Sequence, residues 1–483
     1  MRPRHLGVVT ALVGLALGVP VSAGAQVPGG RCVMVFDNTP TTRLTSVMTA
    51  SRRYNSFIGG GVFGRCQGQD VTIKSDSAEF YEDSNVLYLI GAVRYREPRA
   101  NLDARRLTYY LNDERLFAEG DVFVTLPSGT TMKGPVMDYF RAVPGIRKES
   151  RMNAPLRSRT QLVQRDTAKA RVAQRRGASR DSVPADTVIV NADRTTSVND
   201  SLVYLGGKVE IDRTDLKATS DSAFLDAGRE FAQLIRRATV KGTGDRGYTL
   251  DSQIIDLFST DRALRRVVAK GNGHAVSKEM DLKSDTIFLD VDSSRIERAR
   301  AWGPTRAIAD SPERRILADS LDVRMPRQQV RLVYAHGKAF AEMRPDTVKL
   351  RSDERDWVRG DTIVARFDSL ATSDTARQPR LREMVATGNA SSFYQVASRE
   401  GPTAGPAMNY VRGRVITVEM DSAAVRQVTV LEQAIGLYLE PDSTAVAKPL
   451  DGPATKGGND APRRPRPGAG GRPTTGAARP ERE

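Results

Sequence analysis

The stretch Ile73-Lys74-Ser75-Asp76-Ser77-Ala78-Glu79-Phe80, with Leu89-Ile90-Gly91-Ala92-Val93 behind it, decides the fold of this chain. An Asp-Ser step opens a run in which every second residue is apolar, and a later apolar run carries a glycine. The step and its alternation return at Asp221-Ser222-Ala223-Phe224-Leu225, Asp285-Thr286-Ile287-Phe288-Leu289, Asp319-Ser320-Leu321-Asp322-Val323 and Asp361-Thr362-Ile363-Val364-Ala365. Weaker copies start at Arg105, Pro135, Asp193, Asp251 and Arg414. Successive starts lie 29, 30, 58, 28, 30, 34, 34, 42 and 53 residues apart. Periods of this size mark a repeat architecture, in which no unit buries its apolar face alone and stacked neighbours make the core. The 58-residue interval is twice 29, so it hides a degenerate unit or an insertion.

Each unit reads as strand, turn, strand with a bend, turn. Leu107 and Tyr109, Met137 and Tyr139, Ala223 and Leu225, Ile287 and Leu289, and Leu321 and Val323 each fall on one face of a strand. Their neighbours Thr108, Asp138 and Asp322 are polar, so the period of two places one set inward and the other toward solvent. The second strand commonly carries a glycine (Gly91, Gly120, Gly207, Gly271, Gly388), which inside a strand marks a bulge or tight bend. The Asp-Ser/Thr steps read as strand-opening residues whose side chains satisfy nearby backbone N–H groups. Helical periodicity is best at Arg229–Arg237, a stretch too short to carry a helix. The expected fold is all-β: a tandem-repeat β-jellyroll or solenoid of two facing sheets.

The two ends and the charge map set the context. Arg2 and Arg4, the apolar run Leu6–Val19 and Ala23-Gly24-Ala25 have the form of a cleaved signal peptide over 1–25. The apolar run is 14 residues, short of the roughly 20 a spanning helix needs, although an uncleaved anchor is the alternative. Export to the periplasm is expected. In an oxidising compartment Cys32 and Cys66, the only cysteines, read as one disulfide rather than a metal site. Net charge is +15, but residues 147–180 carry +9 and 446–483 carry +4, and Arg2 and Arg4 supply the rest. The repeat body is therefore near neutral, which argues against a nucleic-acid partner.

These readings divide the chain into a signal peptide (1–25), an irregular lead-in (26–70), β-repeats (71–146), a basic loop or insertion (147–185), further β-repeats (186–440) and a disordered Pro/Gly/Arg-rich tail (441–483). The glycines of Phe57–Gly64 lack the Gly-Lys-Ser/Thr ending of a phosphate loop and read as a flexible turn. Arginines in the basic segment suit phosphate recognition, or the segment is an unstructured insertion.

At these residues the chain resembles the OstA-like family, the domain type shared by the lipopolysaccharide-transport proteins LptA and LptD. The resemblance lies in Ile73–Ala78 with Leu89–Val93, in Leu102-Asp103-Ala104 with Ala118–Val122, and in Leu216-Lys217-Ala218 with Gly242. It covers about three quarters of the chain behind the signal. The resemblance implies a twisted, partly open β-jellyroll in a Gram-negative envelope, with acyl chains held in its apolar interior. Two departures stand out. No outer-membrane barrel with aromatic girdles follows the repeats, aromatics being 6% of the chain, and the repeat number exceeds that of a typical LptA.

If acyl chains are held, Ala78, Phe80, Leu107, Tyr109, Met137, Tyr139, Ala223, Leu225, Ile287, Leu289, Leu321 and Val323 should line the groove. The same residues would equally form an ordinary packed core. His274 and His336 read as isolated turn residues, and no nucleophile elbow, zinc motif or ligand cluster is present, so no enzyme, cofactor or metal is expected. The expected function is a carrier or bridge for lipopolysaccharide or a similar amphipathic lipid in outer-membrane biogenesis. It would pair edge to edge with related Lpt proteins or with itself. An exported scaffold with a closed, lipid-free core is the alternative.

Overall fold

A strand whose apolar face must be covered can cover it with its own other half if it bends, and every full-length strand here does so. The computed structural model describes residues 31–165, 185–421 and 424–441, apart from 38, 245–246, 293, 346–349, 351, 369–378 and 400–404. The expected signal peptide and all but the first residue of the expected tail lie outside the described residues.

In β7 (Val86–Glu97) the buried residues Leu87, Leu89, Val93 and Tyr95 alternate with exposed ones on both sides of Gly91. The register with β8 (Ala100–Tyr110) slips by one residue between Ile90 and Val93, a β-bulge. Gly91 and Ala92 there have φ of +78° and +38°. Tyr109 pairs with Leu87, eight residues from Tyr95, about 26 Å along a straight strand. Yet the Tyr95 and Tyr109 rings lie 6.4 Å apart. The bulge therefore folds each strand into a V, and the two arms face each other with the apolar side chains between them. Burying one such side chain contributes about 1.5–3 kcal/mol.

The Vs stack as an antiparallel meander. After β8 come β9 (Arg115–Thr125), β10 (Thr131–Phe140), and, further on, β15 (Leu202–Arg213), β16 (Leu216–Asp226), β17 (Phe231–Gly242), β18 (Tyr248–Thr260), β19 (Ala263–Ser277) and β20 (Asp281–Asp292). The series closes with β21 (Arg295–Asp310), β22 (Arg314–Arg324), β23 (Leu332–Met343), β24 (Asp356–Phe367), β25 (Leu381–Val396) and β26 (Ala407–Asp421). Each pairs with the next, and in most of these pairs the register slips at a corner.

Six further rungs are interrupted at the corner, so each is two short strands. They are β1 (Met34–Asp37) with β2 (Arg43–Met48), β3 (Tyr54–Gly59) with β4 (Val62–Cys66), and β5 (Thr72–Ser75) with β6 (Ser77–Tyr81). Then come β11 (Arg151–Ala154) with β12 (Ser158–Arg165), β13 (Ala185–Ala192) with β14 (Arg194–Val198), and β27 (Ala424–Leu431) with β28 (Ile435–Leu439). Among the described residues, 28 strands thus make 22 rungs of one hydrogen-bonded sheet, folded into two facing layers.

Several expectations change at this level. The lead-in is not irregular, since two rungs occupy 34–66. Its Gly60 and Gly61 (φ +78° and +96°) are a corner, where a Cβ on Gly60 would meet the Thr41 carbonyl at 2.1 Å. The basic segment 147–185 is not a loop throughout. Residues 151–165 form a rung that pairs with β10 and with the β13–β14 rung; every other interval also holds one intervening rung, so the 58-residue interval hides no further unit and is long through inserted sequence. The inward positions of the 151–165 rung, Met152, Ala154, Ser158 and Thr160, are partly polar, which masked the apolar alternation. Residues 166–184 lie outside the described residues.

The Asp-Ser/Thr steps do not open strands either: Asp221, Asp285, Asp319 and Asp361 sit mid-strand, at the corner. A Cβ on Gly91 would come within 2.2 Å of Asp76 Oδ2, and one on Gly388 within 2.2 Å of Asp361 Oδ2. The Asp and Gly motifs are thus two sides of the same bend. Where no glycine is available, at Arg236 and Arg237 (φ +62° and +46°), Arg237 forms an ion pair with Asp221 instead.

Candidate functional site

The V has a closed corner and an open mouth where the arm tips meet. Contact between the layers at that mouth differs along the stack. Buried apolar residues form two clusters, one from Cys32 to Ala154 and one from Val188 to Val418. We call these the N and C blocks.

In the N block the mouth is locked. Arg141, just past the tip of β10, reaches across to Glu97 at the tip of the opposite arm, Nε to Oε2 2.9 Å. Its Nη1 donates to Glu114 Oε2 at 2.5 Å and to Tyr109 Oη at 2.9 Å, and its Nη2 donates to Gln69 at 3.0 Å. Tyr109 donates to Glu114 at 2.5 Å, Tyr139 donates to Glu97, and the Cys32 backbone N–H donates to Glu114 Oε1 at 2.5 Å. The Glu114 side chain is 0% exposed. Burial pushes the Tyr95, Tyr109 and Tyr139 hydroxyls far above their usual range, so all three stay protonated; Tyr109 and Tyr139 donate within the lock, whereas the buried Tyr95 hydroxyl has no hydrogen-bond partner among the described residues. Every carboxylate oxygen of Glu97 and Glu114 has a donor, the condition under which a buried ion pair is tolerated. The expected Cys32–Cys66 disulfide is present, with Cα atoms 5.1 Å apart, and pins the first rung beside this lock.

Between the blocks the interior turns polar. Ser158 and Thr160 on one layer and Thr195 and Ser197 on the other are buried, with Ser158 Oγ and Thr195 Oγ1 2.9 Å apart across the V. The sheet runs on unbroken, but the apolar interior is divided.

In the C block the mouth opens into two clefts. The first, about 120 Å³, lies among Leu162, Val188, Val203, Ile211, Leu225 and Leu257. The second, about 70 Å³, lies among Met280, Ile316, Val323, Val330, Val333 and Phe367, with Arg314 at its lip. Both collect residues from the tips of opposite arms. Each is smaller than the roughly 300–1,000 Å³ of a site that encloses a drug-sized ligand, so a full acyl chain requires the lips to part.

The twelve groove candidates all point between the layers. Ala78, Leu107, Tyr109, Met137, Tyr139, Ala223, Ile287, Leu289, Leu321 and Val323 are buried, while Phe80 and Leu225 are half-buried. In the N block Leu107, Tyr109, Met137 and Tyr139 are packed under the lock. Of the twelve, Leu225 and Val323 reach a cleft. Sequence reasoning missed Glu97, Glu114 and Arg141, because charged residues at strand ends read as ordinary turn residues. His274 and His336 are not turn residues but lie in β19 and β23, beside their corners. His274 Nε2 is 2.8 Å from Asp281 Oδ1. Among the described residues no group of three or more His, Cys, Asp or Glu could hold a metal, and no helix is long and apolar enough to cross a membrane. No family model matches this chain, and no curated protein matches it.

Proposed function

We propose that the chain is an exported, non-enzymatic carrier or bridge for an amphipathic lipid, working in the periplasm toward outer-membrane biogenesis. Its acyl chains enter between the layers of the C block. The observation that carries this reading is the apolar interior of the C block reaching the surface at two clefts on the mouth side of the V. Lipopolysaccharide is the lipid that the OstA-like resemblance implies. Partners of the same architecture, or a second copy, would add to the ends of the stack. Among the described residues β2 pairs only with β3 and β28 only with β26, and Leu44, Val47, Ile435 and Leu437 stand more than half exposed there.

The test is photo-crosslinking in cells. A probe at Leu225 or Val323 should capture lipopolysaccharide, while probes at the outward Thr108 and Asp290 should not. The locked Tyr109 should give little. One specific observation favours the alternative, a lipid-free scaffold: ten of the twelve inward residues are already packed. Absence of lipid from both cleft positions would make the scaffold the better account.

A further inference from the structure

Both blocks place an arginine where the lips meet, and the two are answered differently. Arg141 is matched by two buried carboxylates and a tyrosine hydroxyl. Arg314, at the first residue of β22, spans the mouth to Phe367 on the opposite arm, its guanidinium 5.6 Å from the ring centre. Its side chain is only 20% exposed, yet its five N–H donors make one hydrogen bond among the described residues, to Glu313 at 3.3 Å. Glu313 is itself 65% exposed, so it is a weak counter-charge.

The other carboxylates nearby are engaged elsewhere. Asp310 lies 3.4 Å from Arg315, Glu279 accepts the Val330 N–H at 3.2 Å, and Asp368 accepts the Arg380 N–H at 2.6 Å. Burial outweighs the opposing charges of Glu313 and Asp368 and holds the Arg314 guanidinium below its usual pKa. Beneath it the cleft is apolar, lined by Ile316, Val323 and Val333.

We infer that this cleft is a binding site for a single-chain anionic amphiphile. A carboxylate or phosphate head bonds Arg314, and the tail passes down Ile316, Val323 and Val333. The ligand supplies at this mouth what Glu97 and Glu114 supply at the other. A guanidinium fits such a head in bidentate fashion. The inference rests on the lipid reading above and adds to it a head-group chemistry and the residue that reads it.

Calorimetric titration of the exported chain tests it, with dodecanoate, dodecyl phosphate, dodecanol and inorganic phosphate below micellar concentration. The two anionic amphiphiles should bind more tightly than dodecanol. Arg314→Gln should weaken them at least about tenfold, the loss expected for one hydrogen bond to a charged group, and leave dodecanol unchanged. Arg314→Lys should retain part of the affinity, and Arg315→Gln all of it. Val333→Trp, which fills the cleft beneath an intact Arg314, should abolish tail-dependent binding. Melting temperatures show whether each variant is folded, and the Lys and Trp variants decide the matter if the Gln variant is not.

Dodecanol binding as well as dodecanoate, or indifference to Arg314→Gln in a folded protein, would overturn the head-group assignment. Inorganic phosphate binding as tightly as dodecyl phosphate would reduce the site to a simple anion site. If no amphiphile binds here while Leu225 still captures lipid in cells, this inference fails alone. If neither occurs, the carrier reading fails with it.

Discussion

The N and C blocks are the same rung stacked many times, yet one mouth is locked by buried charge and the other holds two small apolar clefts. The N block spends its arm tips on Arg141, Glu97, Glu114, Tyr109 and Tyr139, with a disulfide alongside. The C block lines its two clefts mainly with aliphatic residues beside Phe231 and Phe367, and a row of Phe340, Trp357 and Phe393 runs along its sheet. An identical backbone plan thus yields a hydrogen-bonded, charged mouth or an apolar cleft, depending on which side chains occupy the ends of each arm. The buried Ser158, Thr160, Thr195 and Ser197 separate the two apolar interiors.

The comparison can be broken most directly at the lock. Glu114→Ala leaves Arg141 buried with part of its partner set gone, and should cost about 3–5 kcal/mol. Both tryptophans, Trp302 and Trp357, lie in the C block, so their fluorescence reports that block alone in urea unfolding. Tyrosine near-UV circular dichroism, to which seven N-block and six C-block tyrosines contribute, should split into two transitions, the N-block one moving while the other stays with the tryptophan transition. If the two move in step, the blocks unfold as one unit and the distinction is only local.

Replacing both cysteines, Cys32→Ser with Cys66→Ser, should cost about 3–4 kcal/mol for a loop of this size. The loss should again be seen by tyrosine and not by tryptophan. Reduction of the native protein should reproduce it.

Asp356 tests the C block by pH. It is buried, accepts the Gln395 backbone N–H at 3.0 Å, and burial pushes its pKa up to about 6. The folded state therefore binds the proton more tightly than the unfolded state does. Stability is greatest with Asp356 protonated, falls as pH rises from about 4 through 6, and is flat above. The fall amounts to about 2–3 kcal/mol. Asp356→Asn should abolish the fall and raise neutral-pH stability. An unchanged pH profile of the tryptophan transition would refute the assignment.

Corners give the smaller effects. Gly337→Ala places a Cβ within 2.4 Å of Asp319 Oδ2 at φ +81°, and should cost about 1–3 kcal/mol. Arg236→Gly, at a corner that already strains a non-glycine residue, should gain no more than about 1 kcal/mol. Thermal melts of the two variants side by side would show whether all corners obey one rule.

Much of this was legible in the chain itself. Alternation at Leu107/Tyr109 or Ile287/Leu289 is local information, and so is a glycine inside an apolar run. These set the strands, the inward face and the bends. The rungs at 34–66 and 151–165 escaped because their inward positions include Gly64, Ser158 and Thr160, which carry no apolar period. The partnership of Asp76 with Gly91, or of Glu97 with Arg141, joins residues on different strands. No window along the sequence displays it. Leu225 and Leu289 look equivalent in sequence, and only their places on the arms, tip against middle, make one a cleft wall and the other core.

The meander has one further consequence, which concerns distance. Because the backbone of each rung pairs only with that of its neighbours, 22 rungs at the usual 4.7–4.9 Å strand spacing extend about 100 Å from first edge to last. Length is then a property that can be altered without redesigning the cross-section. Deleting two adjacent rungs preserves strand direction at the splice and shortens the reach by about 10 Å, whereas deleting one reverses everything beyond it. A protein built this way is a ruler graduated in pairs.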